Sequence, residues 1–216
     1  MKKLVTVIGG SKGIGRAICN ALQYDYTVIS MARSKSDIVD NIFCDVTQSS
    51  IVQNSFQILK EKYGSPYGLI YVSGVVFPES IIELTEESLL QTFQVNTFGA
   101  FRCVQEFVKL NKSDGKIILI GSTSGERACP GLSSYGASKA SLINFGLSIA
   151  SELQSYRIKV YIISPGRAAT ELRKKICINE DQDLIMQPET VGNFVYKLIH
   201  DDEGYLSNQN IKIKKY

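Results

Sequence analysis

Along this chain, short and almost unbroken apolar runs alternate with longer stretches whose apolar residues recur every three to four positions, from the first residues to about residue 200. The runs 4–8, 26–32, 41–46, 68–74, 116–121 and 159–164 are rich in valine and isoleucine and predict strands. Their near-continuous apolarity suits parallel strands covered on both faces, which lack an in-out alternation. The stretches 14–23, 51–63, 86–110, 134–155 and 189–200 predict helices. Repeated β-α units predict an α/β fold, a doubly wound parallel β-sheet with helices on both faces in three layers. A last short run, NIKIK (210–214), predicts an edge strand. No repeat, low-complexity tract or Pro/Ser-rich linker divides the sequence, so residues 1–216 are expected to form a single domain. The least regular part, 165–188, holds the charge runs RKK (173–175) and NEDQD (179–183) and has the composition of a mobile, solvated surface segment.

Composition narrows the classes. With 216 residues, 44% of them hydrophobic and 21% charged, one core can bury roughly 70% of the unfolded chain's surface without disulfides or a metal. Lys212, Lys214 and Lys215 match the net charge of +3, leaving the remainder balanced, so no nucleic-acid partner is expected. The five cysteines (Cys19, Cys44, Cys103, Cys129, Cys177) form no C-x-x-C pair, and His200 is the one histidine, so neither a metal site nor a disulfide framework is expected. No apolar segment reaches the ~18 residues of a membrane span, nor is there a signal-peptide pattern. A reduced, cytoplasmic protein with no membrane contact is the expectation.

Directly after the first run comes IGGSKGIG (8–15), at the junction of a predicted strand and helix. There Gly9 permits the tight turn, Gly13 lets backbone approach a ligand, and Gly15 lets helix and sheet pack. The N–H groups of the opening helix then face an anion, most simply a pyrophosphate, with Ser11, Lys12 and Ile14 in the same cradle. An ordinary tight turn shows similar glycines, and the spacing G-x-x-x-G-x-G is neither a Walker loop nor G-x-G-x-x-G. NAD sites carry an acid about 20 residues further on. Here the nearest, Asp37, falls about four positions late, whereas Arg33 stands close to the expected place. Arg33 and Lys12 suit the 2′-phosphate of NADP, so NADP is the expected cofactor, with NAD possible.

A second constellation lies in GSTSGERACPGLSSYGASKASL (121–142), where Tyr135 follows Ser122 by thirteen residues and Lys139 follows Tyr135 by four. On a helix Tyr135 and Lys139 share one face, and Ser122 falls at the carboxyl end of a strand, where open α/β sheets bind ligands. The types suit carbonyl reduction. A tyrosine with its ordinary pKa of about 10 lies roughly 4 kcal/mol from tyrosinate at pH 7, and a nearby ammonium narrows that gap. Lys139 is therefore expected to tune Tyr135 as general acid/base, while Ser122 orients the substrate oxygen. GSTSG (121–125) has the outline of a nucleophile elbow, but Thr123 is its centre, and a hydrolase would need His200 folded back over Ser122.

Together with SPGRAAT (164–170), these motifs resemble the short-chain dehydrogenase/reductase family, in particular its 3-oxoacyl-acyl-carrier-protein reductase-like members, from Leu4 to about His200. The resemblance implies a Rossmann fold and adds roles. Asp45 and Val46 would meet the adenine end of the cofactor, as would Gly74, although a plain capping or turn role also fits Asp45. Asn96 would position a water leading to Lys139. Pro165 and Gly166 would shape the turn after the sixth strand, and Thr170 would touch the cofactor's phosphate or amide. It also implies a homodimer or homotetramer. The chain departs from the family at Ile8, where a threonine is usual, and at YVSG (71–74) in place of N-N-A-G, which suggests apolar packing by Tyr71 and Val72. Its C-terminus lacks the glycine-containing end strand, which weakens the expected tetramer contact. Only the 21 residues 167–187 separate Gly166 from Pro188, so the substrate-covering segment is short and an open or shallow pocket is expected. The function expected is an NADP(H)-dependent oxidoreductase acting on a small carbonyl or secondary alcohol. The alternative is a nucleotide-binding regulatory or scaffold protein without turnover.

Overall fold

The computed structural model describes residues 2–111 and 113–215. Seven strands form one parallel sheet: β1 (Leu4–Ile8), β2 (Thr27–Ala32), β3 (Asp40–Phe43), β4 (Gly68–Tyr71), β5 (Gly115–Ile120), β6 (Ile158–Pro165) and β7 (Asn210–Ile213). Their order is β3-β2-β1-β4-β5-β6-β7, with every neighbouring pair parallel. The order reverses between β1 and β4, which opens a crevice at the carboxyl ends of those strands.

Successive strand residues feed opposite faces. Leu4 and Ile8 of β1 join one apolar layer with Val52, Phe56 and Leu59 of α2 (Ser49–Tyr63), Cys103 and Phe107 of α4 (Gly99–Leu110), and Leu142 and Ile143 of α5 (Ser133–Glu152). Val5 and Val7 join the other, with Ile18 and Leu22 of α1 (Gly13–Leu22) and Val195 and Leu198 of α7 (Pro188–Ile199). These contacts produce the three layers anticipated from the unbroken apolar runs. Burial of each such side chain contributes about 1.5–3 kcal/mol.

Two expectations need correction. The helix expected over 86–110 is interrupted: α3 (Glu86–Phe93) passes into one π-helical turn, Gln94–Phe98, before α4 begins. The Tyr71 hydroxyl donates to the Val95 carbonyl at 2.5 Å, anchoring the turn to β4. Tyr71 is therefore more than the apolar filler expected, since its ring packs in the core while its hydroxyl ties two elements together. Second, the segment expected to be mobile is folded. It contains a further helix, α6 (Glu171–Ile176), and a paired return in which Ala169 N donates to Met186 O (2.8 Å) and Met186 N to Arg167 O (2.9 Å).

Candidate active site

The crevice is a cleft of about 450 Å³ whose walls come from the glycine turn, the ends of β2 to β6, and α6. At its floor Gly9 has φ +92°, a left-handed conformation that favours glycine, and its N–H donates to Met31 O at 2.9 Å. A Cβ on Gly15 would lie 2.0 Å from the Gly9 carbonyl oxygen, so Gly15 lets the first turn of α1 press onto the turn that precedes it, a closer partner than the sheet expected. Among the described residues no side chain caps α1, and its first turn holds no acid. Gly13, Ile14 and Gly15 line the cleft, and the unpaired N–H groups at a helix start suit an anion. Gly13 faces Thr170 across the opening, with its Cβ position 3.3 Å from the threonine methyl. Thr170 also caps α6, accepting from Arg173 N at 3.1 Å.

Ser11, Lys12, Ile14 and Arg33 line the same end of the cleft, where the Ser11 hydroxyl lies 2.9 Å from that of Ser34. Asp37 is turned away in a fork with Arg16 at 2.8–3.2 Å, which holds its carboxyl below the usual range. Asp37, the acid that falls about four positions late for an NAD site, is thus engaged by Arg16. Asp45 and Val46 also line the cleft. Asp45 Oδ1 accepts from Thr47 N (3.0 Å) and Thr47 Oγ1 (2.7 Å), which is the turn role weighed for it.

Ser122, Tyr135 and Lys139 converge on one wall. Ser122 follows β5, and its hydroxyl accepts from Ser124 N at 3.1 Å. Tyr135 and Lys139, only 8% and 4% exposed, stand a turn apart on α5. Burial pushes the Lys139 pKa down to about 8, and its Nζ donates to the Ile120 carbonyl at 2.8 Å. Burial pushes the Tyr135 pKa up, against a hydrogen bond from Ser122 and the positive charge of Arg173. Lys139 Nζ stands 5.9 Å from the Tyr135 ring centre. Arg173 of α6, read from sequence as part of a solvated run, also lines the cleft, with its guanidinium forked to Glu180.

Asn96 sits in the π turn, fully buried. Its Oδ1 accepts from Val75 N (2.8 Å), and its Nδ2 donates to Val75 O (3.0 Å) and Ser138 Oγ (2.9 Å). The side chain therefore clamps the strand exit after β4 to α5, where the resemblance implied a water-holding role. Gly74 is wedged beside it, with a Cβ position 3.5 Å from Asn96 Oδ1 and 3.7 Å from Lys139 Nζ. Ser138, which sequence reasoning missed, passes the clamp on by donating to Tyr135 O at 2.7 Å. A serine on the buried face of α5 was the available signal.

Pro165 and Gly166 lie at the end of β6 in the cleft wall, and Gly166 N donates to Ile213 O at 2.8 Å. Beyond them α6 covers the Tyr135 end: Leu172 and Ile176 pack against Val76, Leu132 and Tyr135. The short segment thus makes an ordered cover, where an open or shallow pocket was expected. His200 ends α7, whose last carbonyl, Ile199 O, receives Lys116 Nζ from the start of β5 at 2.8 Å. That places His200 near the start of β5, at the opposite end of the strand from Ser122, which removes the hydrolase reading.

A family model described as short chain dehydrogenase matches residues 3–181. The 3-oxoacyl-acyl-carrier-protein reductase MabA of Mycobacterium tuberculosis is 28% identical, over 99% of this chain and 92% of its own. Its counterpart from Mycobacterium avium is 31% identical over 82% and 71%. Carbonyl reductase family member 4 of Xenopus laevis is 29% identical over 80% and 78%. Among solved structures, a short-chain dehydrogenase/reductase from Serratia marcescens superposes with TM-score 0.90 at 26% identity, covering 98% of this chain and 96% of that one.

Proposed function

The chain belongs to the short chain dehydrogenase family, and from that premise we propose that it is an NADP(H)-dependent reductase of a small carbonyl compound, or dehydrogenase of the matching secondary alcohol, folded as a single domain. The observation that carries the reading is the convergence of Ser122, Tyr135 and Lys139 on the cleft into which the uncapped start of α1 opens. The residues present fit a dinucleotide. Gly9 and Gly13 are turned into conformations that leave backbone exposed, and a side chain at Gly9 would collide with Ser73 at 2.7 Å.

In this reading Gly9, Ser11, Gly13, Ile14 and Gly15 cradle the pyrophosphate, and Lys12 with Arg33 meets the 2′-phosphate. Asp45 and Val46 border the adenosine, while Gly74, beside Lys139, borders the nicotinamide end with Pro165, Gly166 and Thr170. Bound NADPH supplies the hydride. Ser122 donates a hydrogen bond to the substrate oxygen, stabilising charge as it develops there. Tyr135 delivers its proton to that oxygen, and Lys139 holds the nicotinamide ribose. Asn96 fixes the loop beside both through Val75 and Ser138. The substrate's body meets Val76, Leu172 and Ile176, an apolar surface suited to a hydrophobic ketone.

Tyr135→Phe tests the reading. Across a panel of carbonyl substrates followed by NADPH absorbance, the variant should lose at least about a hundredfold in kcat, as removal of a general acid does. Fluorescence titration should show NADPH binding nearly unchanged and tighter than NADH in both proteins. Retained turnover, or tighter NADH binding, contradicts the assignment it addresses.

A further inference from the structure

The loop that carries Ser122 is held from two sides. Ser122 opens a 3-10 turn, Thr123–Gly125, in which Gly125 N donates to Ser122 O at 3.0 Å and Ser124 N to the Ser122 hydroxyl at 3.1 Å. On the α5 side the fit is steric: a Cβ on Gly125 would lie 2.8 Å from Ala140 N, and one on Gly136 would lie 2.9 Å from Ser124 O. On the other side the partner is the C-terminal strand β7, through a single amide. Asn210 Oδ1 accepts from the buried Ser164 hydroxyl at 2.7 Å, and Asn210 Nδ2 donates to Glu126 Oε1 at the end of the turn. Glu126 Oε2 pairs with Lys212 Nζ, further along β7, at 2.8 Å. Ser164 in turn packs against Gly121, whose Cβ position lies 2.8 Å from the Ser164 Oγ. Both ends of the segment 121–126 are therefore tied through Asn210, and at Glu126 the bonds are strengthened by the carboxylate charge. Neither the glycine turn nor the Ser-Tyr-Lys set accounts for these residues.

We propose that Glu126 and Asn210 are positioning residues for Ser122, a clasp by which the C-terminal strand holds the turn that aims the serine hydroxyl at the substrate oxygen. Neither residue lines the cleft, so both act through Ser122. A donor to a developing oxyanion works only at the right place, and a displacement of about 1 Å can cost on the order of a hundredfold in rate. The Ser122 hydroxyl already accepts from Ser124 N, so the direction in which it donates follows from the orientation of the turn. Contact with α5 limits movement of the turn towards that helix, and the clasp opposes its withdrawal the other way. The polar side chains of NIKIK (210–214) thereby gain a place in the site, although the strand itself lies at the edge of the sheet.

This inference rests on the function proposed above, and its test separates the two. Asn210→Asp keeps the acceptor for Ser164 but sets a carboxylate against that of Glu126; adding Glu126→Gln restores one donor and one acceptor with their places exchanged. Amide hydrogen exchange of 122–126 is followed in each protein, together with kcat on a carbonyl panel and the NADPH dissociation constant. Asn210→Asp should speed exchange in this segment about tenfold and lower kcat about tenfold, with β1 exchange and NADPH binding nearly unchanged, and the double variant should recover most of both losses. In a Ser122→Ala background Asn210→Asp should cost no more than about twofold further, since an effect exerted through Ser122 has nothing left to act on. Should Asn210→Asp fail to fold, Glu126→Ala, at a side chain 27% exposed, is read in the same way. An unmoved kcat in the folded variant, whatever its exchange does, overturns the proposal. An equal fall in the Ser122→Ala background does so too, because that pattern marks a merely structural role. Exchange that speeds and is rescued, in a protein that turns over no carbonyl or alcohol, would sustain the clasp on the turn and sink the proposed function. An active enzyme whose exchange and kcat ignore Asn210 and Glu126 would do the reverse.

Discussion

Desolvation governs Lys139. Its ammonium is 4% exposed, is held by one carbonyl at 2.8 Å, and has its pKa pushed down to about 8. In an unfolded chain a lysine titrates near 10.4. Between these values the unfolded chain binds a proton that the folded one does not, so this residue's contribution to stability rises with pH. Below pH 8 both states are charged and the whole burial penalty is present. Tyr135, raised above its usual range, stays protonated in both states until about pH 10, so it does not mask the effect. Lys139→Met removes the titration. Urea unfolding at about pH 7.5 and pH 9.5 should show wild type gaining roughly 2 kcal/mol on Lys139→Met across that interval. Parallel stabilities at the two pH values would mean that Lys139 titrates as an ordinary lysine.

The π turn shows how an element is built around a site. Each of its three buried residues has a polar tether: Val95 O receives Tyr71, the Asn96 side chain holds Val75 and Ser138, and Thr97 Oγ1 donates to Ser138 O at 3.0 Å. Tyr71→Phe leaves the Val95 carbonyl without that donor while keeping the ring that fills the core. A loss of about 1–3 kcal/mol in urea unfolding is expected, the usual cost of an unpaired buried carbonyl. A change within about 0.3 kcal/mol would mean that the turn is held by its packing alone.

The same turn explains what sequence could and could not disclose at this scale. Strands β1, β2, β4, β5 and β6 were legible because their apolar runs report burial on two faces, whereas the edge strands β3 (DNIF) and β7 (NIKI) are partly exposed and showed only as short runs. Ser122, Tyr135 and Lys139 were legible because their chemistry constrains their spacing. One inserted residue per helical turn hardly disturbs the apolar periodicity of 86–110, so the π turn left no trace in the pattern. ELRKKI (171–176) is too short and too charged to show an amphipathic period, and the partner that makes Arg173 structural, Glu180, lies in a run that reads as solvated. Such pairings are tertiary facts, invisible to local composition.

At the scale of the molecule, the end of the π turn and the outward sides of α4 and α5 carry exposed apolar surface. Phe101 and Phe145 stack at 3.7 Å between ring centres, while Phe98, Phe101 and Leu147 remain 43%, 39% and 38% exposed. Aromatic and aliphatic exposure gathered on adjoining helices marks an association surface more often than an isolated exposed leucine does. The opposite edge of the sheet is different. β7 carries Lys212, which is paired to Glu126 at 2.8 Å, and lysine on an edge strand discourages pairing with a second sheet. That asymmetry favours a homodimer through α4 and α5 over a tetramer that also uses the C-terminal strand. Light scattering at micromolar concentration should give a dimer for wild type and a monomer for Phe101→Glu, because a carboxylate at the centre of an apolar contact cannot be buried unpaired. NADPH binding should survive in the monomer, since none of the cleft residues lies on that face of α4. A wild-type monomer, or a Phe101→Glu dimer, would place the assembly surface elsewhere or remove it.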